Sequence, residues 1–227
     1  MLEKPPVITI DGPSGSGKGT IASRVASELS YHLLDSGALY RILGIATLKH
    51  GVALNNEPEL AKLAKSLDIA FGENGSGSVS LDGDDVSLEI RSDRGSDMAS
   101  RVGAIPAARD ALFERQLAFL QPPGLVADGR DMGTVVFPDA EVKIYLTASP
   151  EERARRRYKQ LIGKGIDAIL PALLRELKER DERDSKREVS PLVPAEDALV
   201  LDTTDLSIDE VVEEVLNQAK IAGVLSK

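Results

Sequence analysis

Gly12-Pro13-Ser14-Gly15-Ser16-Gly17-Lys18-Gly19-Thr20 follows the apolar run Val7-Ile8-Thr9-Ile10, with Asp11 between them. Beyond it, Ile21, Ala22, Val25, Ala26 and Leu29 recur at helical spacing, which predicts an amphipathic helix to about Ser30. A buried strand, a glycine-rich turn and a helix N-terminus in that order make a phosphate cradle, the P-loop. Gly15 and Gly17 let the backbone turn tightly, so that successive N–H groups point at one phosphate chain. Lys18 reaches the β- and γ-phosphates, and the whole stretch from Gly12 to Thr20 is expected to hold a nucleoside triphosphate. One position departs from the general pattern. Gly19 stands where Ser or Thr follows the lysine, and the hydroxyl is displaced to Thr20.

Outward from that loop, apolar and helical stretches alternate. Leu33-Leu34 predicts a second strand ending at Asp35, and a helix is expected from about Ala38 to His50 with Gly51 as its stop. Leu125 to Asp128, Val142 to Leu146 and Ala198 to Leu201 read as further buried strands. Helices are expected over Met98 to Leu120, restarting at Pro106, then from Ser149, from about Asp167 to Arg187, and from Ser207 to the C-terminal end. Ser149 with Glu152 and Ser207 with Glu210 have capping-box spacing. Strands alternating with helices behind a P-loop predict an α/β fold, a doubly wound five-stranded parallel sheet. Asn55 to Asp93 has another texture: one short helix, then short antiparallel strands at Ile69 to Phe71, Val79 to Leu81 and Val86, with turns at Gly72 to Ser78 and Asp82-Gly83. It reads as a small α+β insertion. Asp82-Gly83-Asp84-Asp85 lacks the spacing of a calcium loop and is read as a hairpin turn.

The 227 residues suffice for one domain with small insertions, and 42% hydrophobic with 29% charged residues is a globular composition. No apolar run is long enough to span a membrane and the start shows no signal-peptide pattern, so a cytoplasmic protein without a membrane partner is expected. The absence of cysteine excludes disulfides, thiolate metal sites and cysteine nucleophiles. A net charge of −9 argues against a nucleic-acid partner, since no global field would attract a phosphate backbone. Any polyanionic ligand must be gathered by local arginines.

Such arginines stand beyond several strand ends: Arg41, Arg91, Arg109, Arg130, Arg153, Arg156, Arg157, Arg180 and Arg187. Taken singly, each also fits a solvated surface residue, and Glu151 and Glu152 supply helix partners four residues before Arg155 and Arg156. Arg130 follows a buried strand within two residues and should lie at the carboxyl edge of the sheet, where α/β proteins bind ligands. Asp128 closes that strand in the manner of a magnesium-associated acid, and Asp35 is a second candidate. His32 and His50 have no metal-spaced partner, and His50 suits a helix cap. No Asn-Lys-x-Asp base-reading motif is present, which excludes an ordinary GTPase. The inventory suits phosphoryl transfer from ATP to a phosphate acceptor. That acceptor is already ionised near neutral pH and needs no general base, while preorganised cations offset the charge that spreads in transit. A kinase for UMP or for a phosphate-free metabolite, and a non-enzymatic nucleotide sensor, are the alternatives.

Four segments together resemble the bacterial cytidylate kinases. They are Ile10 to Thr20, Leu34-Asp35-Ser36-Gly37-Ala38-Leu39-Tyr40-Arg41, Asp128-Gly129-Arg130-Asp131-Met132-Gly133-Thr134-Val135-Val136-Phe137-Pro138, and Arg180-Asp181-Glu182-Arg183-Asp184 with Arg187. The resemblance implies transfer of phosphate from ATP to CMP or dCMP with Mg2+, by a monomer. It implies a discontinuous P-loop core over 1–36, 94–152 and 166–227, a monophosphate-binding region over 37–93 and a short lid over 153–165. It assigns Arg41, Arg130 and Arg187 to the CMP phosphate, and Ser100, Arg109 and Asp131 to the base with Ser36 nearby. Arg180 and Asp184 fall to the sugar, and Arg156 or Arg157 bridges the phosphates from the lid. Lys18, Arg130, Arg187 and a lid arginine are then the catalytic cations, and Asp128, with Thr20 through water, the metal-associated groups. Cytosine presents an amine donor beside the N3 and O2 acceptors, which suits Asp131, Ser100 and Arg109. Uracil mismatches two of these groups at about 1–3 kcal/mol each, on the order of a hundredfold in discrimination.

Overall fold

The structure, a computed structural model, describes residues 4–71, 78–163 and 165–224. Its contacts divide the chain into two compact units, Met1–Asp35 with Ala118–Lys227, and Ser36–Leu117.

The first unit is built on a sheet of five parallel strands: β1 (Val7–Asp11), β2 (His32–Asp35), and, in the labels used below, β6 (Leu125–Gly129), β7 (Val142–Thr147) and β8 (Leu199–Asp202). Their order across the sheet is β2-β6-β1-β7-β8. β1 therefore has a neighbour reached from each direction of winding, and the P-loop leaves its carboxyl end at that switch point. Every residue of β1 and β6 is buried, as a continuous apolar run in a parallel sheet requires. Helices α1 (Lys18–Leu29) and α8 (Ile208–Ile221) cover one face. Ile21, Ala22 and Val25 of α1 and Val211, Val212 and Val215 of α8 pack there with Ile8, Ile10, Val126, Ile144 and Leu146. In the same unit α6 (Pro150–Ile162) and α7 (Leu170–Ser185) pack on each other. Ser207 and Glu210 form the expected reciprocal capping box. At Ser149 only half of it forms: the hydroxyl accepts from the Glu152 N–H, while the Glu152 carboxylate accepts from Arg155 and Arg156.

Gly12 shows why the loop can start where it does. Its φ is 147°, and a Cβ added there would lie 2.0 Å from the carbonyl oxygen of Leu146 on the neighbouring strand. Only glycine passes so close to a backbone oxygen.

The second unit comprises α2 (Ser36–His50), α3 (Glu57–Ser66), a three-stranded antiparallel sheet of β3 (Ile69–Phe71), β4 (Val79–Leu81) and β5 (Asp84–Asp85), then α4 (Asp93–Val102) and α5 (Pro106–Leu117). α4 packs on α2 and α5 on α3, so residues 94–117 group with this unit, whereas the sequence reading had joined them to the core. α4 begins earlier than its apolar spacing predicts because the Ser92 hydroxyl caps it, accepting from the Gly95 N–H at 3.0 Å. The third strand is Asp84–Asp85 rather than Val86, which is buried beyond it and donates its N–H to Val79 O. Asp82 and Gly83, with φ of 52° and 81°, make the expected tight turn. The acids around it are committed to neighbours: Asp84 and Asp82 pair with Lys49, and Asp82 also meets His50 Nε2 at 2.9 Å. His50 thus holds the hairpin rather than capping a helix. The turn expected at Gly72 to Ser78 lies, but for Ser78, outside the described residues.

Candidate active site

Gly17 precedes α1 at its N-cap with φ 93°, and no side chain caps the helix, an arrangement that suits an anion at its first turn. Lys18 is buried and donates from Nζ to Pro13 O at 3.2 Å, bent back over the loop. Burial, and then the positive Arg130, lower its pKa to about 7, although Asp128 and Asp35 pull the other way. The Ser16 hydroxyl is buried in the cradle with no hydrogen-bond partner among the described residues. Asp35 and Asp128 are register partners at the carboxyl ends of β2 and β6. A Cβ added at Gly19 would stand 3.2 Å from Asp128 Oδ2, so a side chain there would press on that carboxylate. Thr20 is exposed.

Three of the arginines converge on one acid. Asp184, on α7 and 1% exposed, accepts from Arg187 Nη2 at 2.6 Å and from Arg130 Nε at 3.3 Å, with Arg180 Nε 3.8 Å away. Arg180 also reaches the Ser14 hydroxyl at 3.4 Å. Arg153, one of the candidate arginines for which a solvated surface position was the alternative, is 3% exposed. It donates to Ala148 O and Ser14 O, each at 3.0 Å, and makes a two-pronged pair with Asp181 of α7. Arg156 donates to Ser16 O and to the hydroxyl and carbonyl of Thr203, while the Thr203 hydroxyl also lies within hydrogen-bond reach of Ser16 O. The loop is therefore braced by α6, α7 and the end of β8. Arg157 is half-buried on α6. The helix pairing expected from spacing holds for Glu152 with Arg156, but Glu151 pairs with Lys178.

After β6 the chain passes Arg130 and Asp131 into a π-helical turn, Met132–Val136. Both oxygens of Asp11, at the end of β1, accept backbone N–H groups of that turn, from Met132 at 2.9 Å and Gly133 at 2.8 Å. Burial outweighs these bonds and raises the Asp11 pKa to about 7, with Asp131 and Asp128 adding smaller repulsions. Asp131 is buried as well.

The second unit carries the remaining candidates. Ser36 and Arg41 lie on α2, Ser100 on α4 and Arg109 on α5. The Ser36 hydroxyl donates to Gln116 Oε1 at 2.7 Å in a buried pair. Arg109 is buried, donates to Gly103 O at 3.2 Å and lies 5.6 Å from the ring centroid of Tyr40, a cation–π distance. Ser100 is 1% exposed.

Comparison with known proteins gives this arrangement its family. The family described as Cytidylate kinase matches residues 8–221. The chain belongs to the cytidylate kinase family. Its similarity to curated members runs nearly end to end. A cytidylate kinase of Pseudomonas fluorescens is 58% identical over 227 residues, covering 99% of both chains. One from Shewanella loihica is 58% identical over 97% of this chain and 96% of its own, and one from Stutzerimonas stutzeri 58% over 96% of both. The protein is thus a kinase with a P-loop nucleotide-binding fold. Among the described residues no helix is long and apolar enough to cross a membrane.

Within this cytidylate kinase fold, Lys18 opens α1, Asp128 lies on β6 with Arg130 just beyond it, and Arg180 and Asp184 lie on α7 with Arg187 just past its end, all in the first unit. Sequence reasoning missed Asp11, Thr203 and Gln116, and named Arg153 only among the candidate arginines and at the start of the lid. A charged residue ending the apolar run at Asp11 was the one available signal. The other three act through partners 139, 187 and 80 positions away, which no local pattern reveals.

Proposed function

We propose that the protein transfers the γ-phosphoryl group of ATP to CMP or dCMP, giving ADP and CDP or dCDP. The observation that carries this reading is the convergence of Arg130, Arg180 and Arg187 on the single buried carboxylate of Asp184, in a unit that also holds the P-loop. Guanidinium forks suit a phosphate, and a phosphate-free acceptor would leave Arg41, Arg130 and Arg187 without a ligand to hold.

In this reading Gly12 to Thr20 hold the triphosphate, with Lys18 and the orphan Ser16 hydroxyl directed to its oxygens. Arg41, Arg130 and Arg187 hold the acceptor phosphate. Ser100, Arg109 and Asp131 read cytosine, Ser36 is assigned to the same recognition, and Arg180 and Asp184 bind the sugar. A lid arginine, Arg156 or Arg157, bridges to the transferring phosphoryl group. The acceptor oxygen is already anionic, so attack requires approach and charge neutralisation rather than a base. Asp128, with Thr20 through water, would hold Mg2+: a carboxylate at the carboxyl end of β6 is an oxygen donor that suits this cation, and Gly19 puts no side chain against Asp128 Oδ2. Magnesium, when bound, offsets charge on the β- and γ-phosphates. The enzyme works in the cytoplasm as a monomer on free nucleotides, not on nucleic acid. The test is ADP release from MgATP with each nucleoside monophosphate. CMP and dCMP are expected to exceed UMP by on the order of a hundredfold in kcat/KM; equal or stronger turnover of UMP or AMP would end the base-reading argument.

A further inference from the structure

The turn Met132–Val136 satisfies its own later N–H groups. Those of Val135 and Val136 donate to Asp131 O, and that of Phe137 to Met132 O. As at any helical start, the first N–H groups, here of Met132 and Gly133, have no acceptor within the turn. Asp131 occupies its N-cap position, and aspartate at that position ordinarily turns its carboxylate back onto these donors. Here it makes no such bond. Both donors are taken instead by Asp11, 121 and 122 positions earlier in the chain.

We infer that Asp11 is a positioning residue that caps the Met132–Val136 turn in place of Asp131, leaving the Asp131 carboxylate to recognise the cytosine amine and fixing Arg130 one residue before it. The inference rests on the proposed role of Asp131 in base reading. The division of labour has a physical basis. Each acceptor site of the Asp131 carboxylate turned back onto its own turn is one fewer to offer a ligand amine, and the cap would also fix which way the carboxylate faces. An acid at the end of the neighbouring strand is rigid, since Asp11 is register partner to Gly129 in the sheet, and the turn it holds is set by backbone rather than by a mobile side chain. Asp11 directly precedes Gly12, so the same rigid point also begins the P-loop. The buried negative charge close to Asp131 is costly in isolation, and the two N–H donors offset part of that cost.

Asp11→Asn keeps the side chain's size but leaves one oxygen acceptor, and its amide NH2 then faces a backbone N–H. The variant removes a buried charge, so it is expected to fold. The uncapped N–H draws Asp131 back onto the turn. The CMP-to-UMP ratio of kcat/KM is then expected to fall by about tenfold, while the KM for ATP changes by less than about threefold. The decisive measurement is a cycle with Asp131→Asn. If Asp11 acts through Asp131, the double variant is no less selective than Asp131→Asn alone, whereas a merely structural role makes the losses multiply. A core control, Val215→Ala, is expected to lower stability without changing the ratio. Selectivity kept in Asp11→Asn, or multiplying losses in the double variant, would overturn the inference. Should Asp11→Asn fail to fold, Asp11→Glu is read by the same ratio, since its longer stem displaces the cap, and retained selectivity there has the same consequence. Asp131→Asn with wild-type selectivity would instead overturn the base-reading assignment on which the inference rests.

Discussion

Replacing Asp184 by Asn tests the arginine cluster most directly. The substitution keeps the volume and removes the charge that Arg130, Arg180 and Arg187 share. Asp184 is 1% exposed, and the side chains around it are 16%, 14% and 6% exposed, so solvent screens the three cations poorly once their anion is gone. Breaking a buried pair by removing one partner costs about 3–5 kcal/mol. Because Arg130 and Arg180 keep some access to water, the lower end applies, about 3 kcal/mol. For a chain of this size that is a fall in Tm of roughly 6–12 °C. A phosphate on the acceptor restores an anion at the same cluster, so saturating CMP is expected to raise the variant's Tm by more than it raises the wild type's. Turnover should fall as well, since the forks lose the acid that spaces them. Thermal melts with and without CMP, alongside ADP release at saturating substrates, measure all three effects. A melting temperature within about 2 °C of wild type, with equal CMP shifts, would refute the idea that Asp184 organises the cluster.

Two glycines should respond differently to the same methyl group. Gly12→Ala places a Cβ 2.0 Å from the Leu146 carbonyl oxygen, which cannot yield without breaking the sheet, so denaturant melts should show a loss of about 3 kcal/mol or more. Gly19→Ala meets only the tip of Asp128 at 3.2 Å, so its stability should stay within about 1 kcal/mol of wild type while turnover drops by about tenfold at limiting Mg2+. Equal stability losses for the two would contradict this contrast. Lys18 makes a third case: its pKa is lowered from 10.5 to about 7, so near pH 8 the unliganded site is largely deprotonated. A triphosphate favours the charged amine, and calorimetric titration of ATP at that pH in buffers of different ionisation enthalpy should reveal proton uptake; no buffer dependence would count against it. The same shift means that the unfolded chain binds more protons than the folded one between pH 7 and 10.5. The Lys18 contribution to stability therefore rises with pH across that window, and Lys18→Met should flatten the rise.

The parts of the fold that could be read from sequence are those whose physics is local. Val7 to Asp11 is apolar without alternation because both of its faces are covered, and the positive φ of Gly15 and Gly17 in the turn after it is a local demand, although the contact that requires Gly12 is with Leu146, far along the chain. Ser207 and Glu210 announce a helix start because both bonds of the box lie within one turn. The reading failed where the partner is distant. Arg153 looks like Arg155 in the sequence, yet one is buried against Asp181 and Ser14 while the other is exposed beside Glu152. Ser149 and Glu152 have the spacing of Ser207 and Glu210, but two arginines compete for Glu152. Asp184 was legible as part of a charged helix, not as the hub of three cations, because helical spacing accounts for Arg180 and Arg187 but not for Arg130, 54 positions away.

On the proposed reading, that hub also bears on how a chain of net charge −9 can bind a triphosphate and a monophosphate. Net charge acts at long range, where salt screens it within about 8 Å, whereas paired guanidinia act at contact. At an effective dielectric constant near 20, one charge pair about 4 Å apart is worth about 4 kcal/mol. Three arginines without a counter-ion would repel one another by comparable amounts and splay apart before any ligand arrived. Asp184 lowers that repulsion and holds the forks in one arrangement, at the cost of competing with the incoming phosphate. The competition weakens ground-state binding of the acceptor. It also means that the guanidinium N–H groups need not be drawn out of bulk water when the charge of the transition state develops. A cluster organised in this way favours turnover over tight binding, which is the distribution a kinase requires when its product must leave.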